Sequence, residues 1–148
     1  MLPKHDEWTR RLSKVALFDG CTKKELRIID SVTTPIWVGV GAVLCQEGSP
    51  GNECFIVLDG VATVTIAGSP VSTIGSGGVI GELALLDRGP RTATVTAGSA
   101  MTLLVLTAAE FSLLLHDVPV VKQRVLRQVA EKCRSEMAKA QPVSEGVG

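Results

Sequence analysis

One stretch of the chain, IGSGGVIGELALLDRGPRTATV from Ile74 to Val95, holds the residue types and spacing most suited to chemistry. Glycines at 75, 77, 78 and 81 let backbone approach a ligand closely and adopt positive φ. Glu82-Leu83-Ala84-Leu85-Leu86 is a short run of good helix formers. A helix beginning at Gly81-Glu82 presents unpaired N–H groups that suit an anion. Arg91 follows, and its guanidinium can fork onto two oxygens of a phosphate. Thr92 adds a hydroxyl donor beside it. A carboxylate at Glu82 is out of place beside an anion unless it binds something else. Sugar hydroxyls fit, because they donate to a carboxylate.

The elements that must position this stretch are legible on both sides. Before residue 33, Trp8, Leu12, Val15 and Leu17/Phe18 recur near a helical period, and Thr22 with Glu25 forms a capping box. From Thr33 the pattern changes to short β-rich pieces separated by glycine: PIWV, GAVLCQEG, CFIVLDG, VATVTI, PVSTIG, TATVTA and MTLLVL. Short strands with frequent turn signals predict a mainly β fold with flanking helices, an antiparallel barrel or sandwich. Asp59-Gly60 and Ala67-Gly68-Ser69-Pro70 read as hairpin turns. After Leu106 the helical period returns. Thr107 with Glu110 is a second capping box, and Asp117 before Pro119 reads as an N-cap followed by a first-turn proline. Val118, Val121, Val125, Val129, Cys133 and Met137 then form one stripe on a long terminal helix. The organisation read from this is a helical segment at 1–32, a β unit at 33–107 containing the chemical stretch at 78–96, helices at 108–139, and a flexible tail at 140–148.

Composition excludes several function classes. The chain has 148 residues, 45% hydrophobic and 20% charged, the balance of a single globular domain. No apolar run reaches the roughly 20 residues needed to cross a bilayer, and the polar start MLPKHDEWTRRLSK lacks a secretory h-region, so a cytoplasmic location and no membrane partner are expected. Fifteen basic residues balance fifteen acidic ones. A neutral chain with few aromatics is expected to bind no nucleic acid. Cys21, Cys45, Cys54 and Cys133 form no C-x-x-C pair, so reduced thiols rather than a zinc site are expected, with a Cys45–Cys54 bridge left open. His5 and His116 stand alone, and no nucleophile–base pair is visible, so no metal and no enzyme activity are expected.

Gly81-Glu82-Leu83-Ala84-Leu85-Leu86 followed by Pro90-Arg91-Thr92-Ala93-Thr94-Val95 resembles the phosphate-binding cassette of cyclic nucleotide-binding domains. Gly41-x-Val43-Leu44, Glu47-Gly48, Gly51, Phe55-Ile56-Val57 and Gly60-x-Ala62-x-Val64 are similar to that family's strand-and-glycine pattern, and the resemblance covers residues 14–138. It implies an eight-stranded antiparallel jelly-roll β-barrel with N-terminal helices and C-terminal helices that move on binding. It implies that Arg91 pairs with the cyclic phosphate and that Glu82 binds the ribose 2′-hydroxyl. Backbone N–H groups around Gly81, Leu83 and Ala84 complete the cradle, Thr92 adds its hydroxyl, and Ile80 and Val64 wall the base. The implied ligand is cAMP, with cGMP second because family members that bind cGMP often carry threonine where Thr92 stands.

Family members fuse this sensor to an output. No recognition-helix unit follows the terminal helix here, so the expectation is a stand-alone sensor signalling to an effector in trans, or else a sensor excised from a larger protein. The terminal helix carries Lys122, Arg124, Arg127, Lys132, Arg134 and Lys139 against Glu131 and Glu136, about +4, leaving the rest near −4. Arg124 and Arg127 are the candidates to cap the base. The distal stripe around Val129, Cys133 and Met137 offers a surface for an effector or, as in related transcriptional sensors, for a homodimer. Two rivals stand beside this reading. One is a nucleotide-independent scaffold with a degenerate pocket. The other is a cupin-like metalloenzyme, which would need a histidine cluster on barrel strands where this chain has none.

Overall fold

The computed structural model describes residues 9–82, 85 and 89–147, with side chains of the last helix described to Glu131 and at Cys133 and Arg134. Eight strands form two antiparallel four-stranded sheets. They are β1 Thr34–Val38, β2 Val43–Cys45, β3 Glu53–Asp59, β4 Ala62–Ile66, β5 Ser69–Ile74, β6 Val79–Ile80, β7 Thr94–Ala97 and β8 Met101–Thr107. The first sheet has the order β1-β8-β3-β6 and the second β2-β7-β4-β5. The jelly-roll barrel expected from the sequence is therefore open. Each ladder stays within one sheet, and side chains rather than backbone hydrogen bonds join the two.

The sequences of β3 and β8 explain the layering. Both are nearly continuous apolar runs, because their sheet is covered on both faces. Cys54, Ile56 and Leu58 of β3, with Leu104 and Leu106 of β8, face the helices. Phe55 and Val57, with Met101 and Leu103, face the second sheet and pack against Cys45, Ala62, Val95 and Ala97. The second sheet is covered on one face only, so β4 and β7 alternate between Val or Ala inward and Thr outward.

Asp59-Gly60 is not a hairpin turn. β3 and β4 belong to different sheets, and Gly60 (φ +96) turns the corner between them. A Cβ there would stand 2.5 Å from the Ala100 carbonyl oxygen and 2.8 Å from Met101 Cγ, so only glycine fits. The second predicted hairpin is present. Ala67 (φ +51) and Gly68 (φ +83) join β4 to β5, the paired positive φ values that a two-residue turn requires.

The N-terminal region is helical in pieces: a turn at 9–13, a 3-10 turn at Ala16–Phe18, and α1 at Lys23–Val32, after Gly20 at φ +80. The Thr22/Glu25 and Thr107/Glu110 capping boxes are both formed. Helices α2 (Ala108–Asp117) and α3 (Pro119–Val147) follow β8. Asp117 is the last residue of α2 and its carboxylate meets His116, so Val118, not Asp117, precedes the first-turn proline of α3. Val118, Val121 and Val125 are buried against the first sheet's helix-side core, as their spacing predicts, whereas Cys133 is exposed and Met137 lies outside the described side chains. The backbone of α3 continues through 140–147, which the sequence reading leaves as a tail. The run from Lys132 to Gln141 contains strong helix formers and no glycine to stop it.

Candidate functional site

β6 delivers the chemical stretch. Val79 and Ile80 are buried, pairing with Ile56 and Phe55 of β3. Gly81 then takes φ +85 and turns the chain off the sheet into a helical start at Glu82. Glu82 is only 1% exposed and Arg91 8%, rare burial for either type. Arg91 lies three residues before β7, which begins at Thr94. Its backbone is held instead by the β2–β3 loop: Arg91 N donates to Ser49 O at 2.8 Å, and Gly48 N to Arg91 O at 2.9 Å. Fixed at its base, the side chain donates from Nη2 to the Glu53 carbonyl at 2.9 Å and from Nη1 to the Gly81 carbonyl at 3.3 Å. Two strand ends thus orient one cation.

Beneath lies Cys54, fully buried. Burial pushes its thiol up, the Glu82 carboxylate adds to the shift, and the Arg91 guanidinium opposes it. The thiol stays protonated at neutral pH and is no nucleophile. Cys45 and Cys54 sit in different sheets and form no disulfide. His116 is exposed on α2, and His5 lies outside the described residues. Among the described residues no group of three His, Cys, Asp or Glu is placed to hold a metal ion.

Glu82 and Arg91 open onto a cavity of about 760 Å³, within the usual range for small-molecule sites. Ile80, Gly81 and Thr92 line it beside them, and Val64 and Ile66 of β4 with Val71–Ile74 of β5 form its largely apolar wall. The chemistry offered is a buried cation for an anion, a buried carboxylate for hydroxyl donors, and an apolar wall for a flat ring. A family model described as "Cyclic nucleotide-binding domain" matches residues 36–117. The chain belongs to the cyclic nucleotide-binding domain family. It is 32% identical to a cyclic nucleotide-gated potassium channel of Rhizobium etli over 82% of its length, covering 34% of that protein. It is 37% identical to another such channel, of Mesorhizobium japonicum, over 70% of its length, covering 28% of that protein. The chain thus spans about a third of these curated relatives. A cAMP-bound structure of PfPKA-R superposes with a TM-score of 0.79 at 25% identity, covering 93% of this chain and 48% of that one.

Within this cyclic nucleotide-binding domain, Gly81, Glu82, Arg91, Thr92, Ile80 and Val64 all border the one cavity. Leu83 and Ala84, expected to offer backbone N–H groups, lie outside the described residues. Sequence reasoning named Arg124, Arg127 and the glycines at 75, 77 and 78, but not the rest of the far wall. Ala16 and Leu17 of the N-terminal turn, the loop Gly75–Gly78, and Arg124, Arg127, Gln128 and Glu131 of α3 also line the cavity. The four α3 residues follow an i, i+3, i+4, i+7 spacing, one helix face, and that signal was available. Arg124, a candidate base cap, is occupied elsewhere: its Nη1 donates to the Leu17 carbonyl at 3.0 Å and to that of Asp19. Gln128 Nε2 donates to the Gly77 carbonyl at 3.3 Å. Both contacts tie α3 to the cavity's rim.

Proposed function

We propose that this domain is a cyclic nucleotide sensor whose ligand is cAMP, with cGMP second. One observation carries the reading: a carboxylate and a guanidinium, both more than nine-tenths buried, share one open cavity with an apolar wall. A guanidinium and a carboxylate bordering a cavity suit ligand groups of opposite demand, an anion and hydroxyl donors. A cyclic phosphate answers Arg91, the ribose 2′-hydroxyl answers Glu82, and the purine lies along Val64 and the β5 wall. Thr92 donates its hydroxyl to the phosphate, and Arg127 rather than Arg124 caps the base. PfPKA-R, a structural neighbour with cAMP bound, supports this ligand. The protein is read as a binding module, not an enzyme, and the scaffold reading with a degenerate pocket loses ground because both charged residues are retained in the cavity.

Replacing Glu82 with Gln tests the ribose contact. The amide still accepts one hydrogen bond, so affinity falls modestly, about 5- to 30-fold, the loss of roughly 1–2 kcal/mol for a charged acceptor. Deleting the ligand's 2′-hydroxyl weakens the parent domain similarly but leaves the variant nearly unchanged. Purely additive losses in this double-mutant cycle, read by calorimetry, would refute the contact.

The output runs through α3, which borders the cavity at one end and exposes Cys133 further along. Ligand against Arg127 and Gln128 shifts how α3 sits on the rim, and an effector in trans reads the change. Hydrogen exchange with and without cAMP is expected to show altered protection across 118–134. Identical protection in both states would remove α3 as the moving part.

A further inference from the structure

Backbone and side-chain donors share the carbonyls of the N-terminal turn. The Val15 carbonyl accepts from Phe18 N at 2.9 Å, the Ala16 carbonyl from Asp19 N at 3.2 Å and the Phe18 carbonyl from Cys21 N at 3.1 Å. The Leu17 and Asp19 carbonyls accept instead from a single nitrogen, Nη1 of Arg124 on α3. Basic side chains commonly satisfy carbonyls left open at the end of a helical turn. The turn is itself fixed, because Leu17 and Phe18 are buried in the same cluster as Val121 and Val125 of α3. One helical turn beyond Arg124, Gln128 donates to the Gly77 carbonyl. The Gly75–Gly78 loop is fixed as well: Gly77 N donates to the Val57 carbonyl of β3 at 2.8 Å, and Val57 N to the Gly78 carbonyl at 2.9 Å.

These two anchors matter because apolar packing holds α3 mainly at its start. Val118, Val121 and Val125 are buried, Val129 is half-buried, and Arg127, Ala130 and Glu131 are exposed. Arg127 and Glu131 border the cavity. Most of the cavity face of α3 therefore lies past Val125, the last buried residue described in the helix. Its distance from the apolar wall of β4 and β5 is set by Arg124 and Gln128, which tie it to two fixed parts of the rim.

We propose that Arg124, with Gln128, is a positioning pair that seats the cavity face of α3 on the N-terminal turn and the Gly75–Gly78 loop, and so sets how tightly the base of the nucleotide is held. The inference rests on the cavity being a cyclic nucleotide site with the base against α3. Arg124 acts through the carbonyls it holds and not on the base. Glu82 and Arg91 stand apart from this seat, at the end of β6 and in the segment before β7. Their hold on sugar and phosphate does not depend on it. Loss of the seat therefore costs affinity only for a ligand that offers α3 a base.

Calorimetric titration of the whole chain tests it, with cAMP and with a base-less analogue, the same sugar cyclic phosphate bearing hydrogen in place of adenine. Arg124→Met keeps the apolar stem and removes the donors. It is expected to weaken cAMP about tenfold, the low end for a charge-assisted hydrogen bond, and to leave the analogue unchanged. Gln128→Met is expected to shift the same preference about threefold, as loss of a neutral bond does. Without ligand, hydrogen exchange in Arg124→Met is expected to quicken at 126–134 and to keep the parent rate at 118–125. Equal losses for both ligands would make Arg124 part of the field around the phosphate. A base-specific loss with unchanged exchange would make it a direct base contact. Either result overturns the proposal, as do variants that bind both ligands like the parent. A parent chain that binds cAMP no better than the analogue would refute the base's place against α3, and this inference with it, whatever the variants do.

Discussion

Replacing Arg91 with leucine is expected to abolish cAMP binding at accessible concentrations while leaving a folded, less stable domain. Removing one partner of a desolvated charge pair costs about 2–5 kcal/mol of binding, roughly 30- to several-thousand-fold in affinity. The stability loss has a separate cause. Arg91 donates to the Glu53 and Gly81 carbonyls, and each carbonyl left without its donor costs about 1–3 kcal/mol where water cannot replace it. These two carbonyl contacts give Arg91 a structural duty besides the ligand contact proposed for it. Arg91→Lys separates them, because it keeps the charge and loses the planar fork. Its affinity is expected between those of parent and leucine variant. Calorimetry and thermal melts on all three proteins check this, and unchanged affinity in Arg91→Leu would remove Arg91 from the site.

Gly81→Ala is expected to reduce cAMP affinity at least tenfold. Gly81 sits at φ +85, where a side chain costs about 1–2 kcal/mol. A Cβ there would also collide with Arg91 Nη1 and stand 3.3 Å from the Glu53 carbonyl oxygen. The methyl group therefore pushes the guanidinium from the position its two acceptors define. Gly41→Ala is the control. Gly41 has similar strain, φ +91, but open space where its Cβ would stand, at the far end of the sandwich. It is expected to lose stability and keep its affinity. Equal binding losses in both variants would mean that strain alone, not the displaced arginine, accounts for the effect.

The site was legible in proportion to how local its signals are. Gly81-Glu82 and Pro90-Arg91-Thr92 are contiguous fragments whose residue types suit an anion and a sugar, and Gly81, Glu82, Arg91 and Thr92 reach one cavity. Strand positions followed from glycine punctuation and from alternation, and both capping boxes could be read from a four-residue pattern. What escaped depends on distant partners. The Asp59-Gly60 pair signals a chain reversal, but nothing local says that the next strand joins the other sheet. Arg124 meets Leu17 and Asp19 more than a hundred positions away, and Gln128 meets Gly77 across 51. No spacing within the helix identifies such carbonyl acceptors. The apolar runs of β3 and β8 show burial on both faces without showing which element covers each.

Direct titration of the chain by calorimetry tests whether Glu82 and Arg91 together hold a cyclic nucleotide. One saturable site for cAMP is expected, with weaker competition by cGMP and binding of adenosine at least a hundredfold weaker, since adenosine keeps base and hydroxyls but has no phosphate for Arg91. At cAMP one hundred times its dissociation constant, the domain should gain about 2.7 kcal/mol of stability. Absence of cAMP binding at millimolar concentration, or adenosine binding as tightly as cAMP, would mean that Glu82 and Arg91 do not form a cyclic nucleotide site.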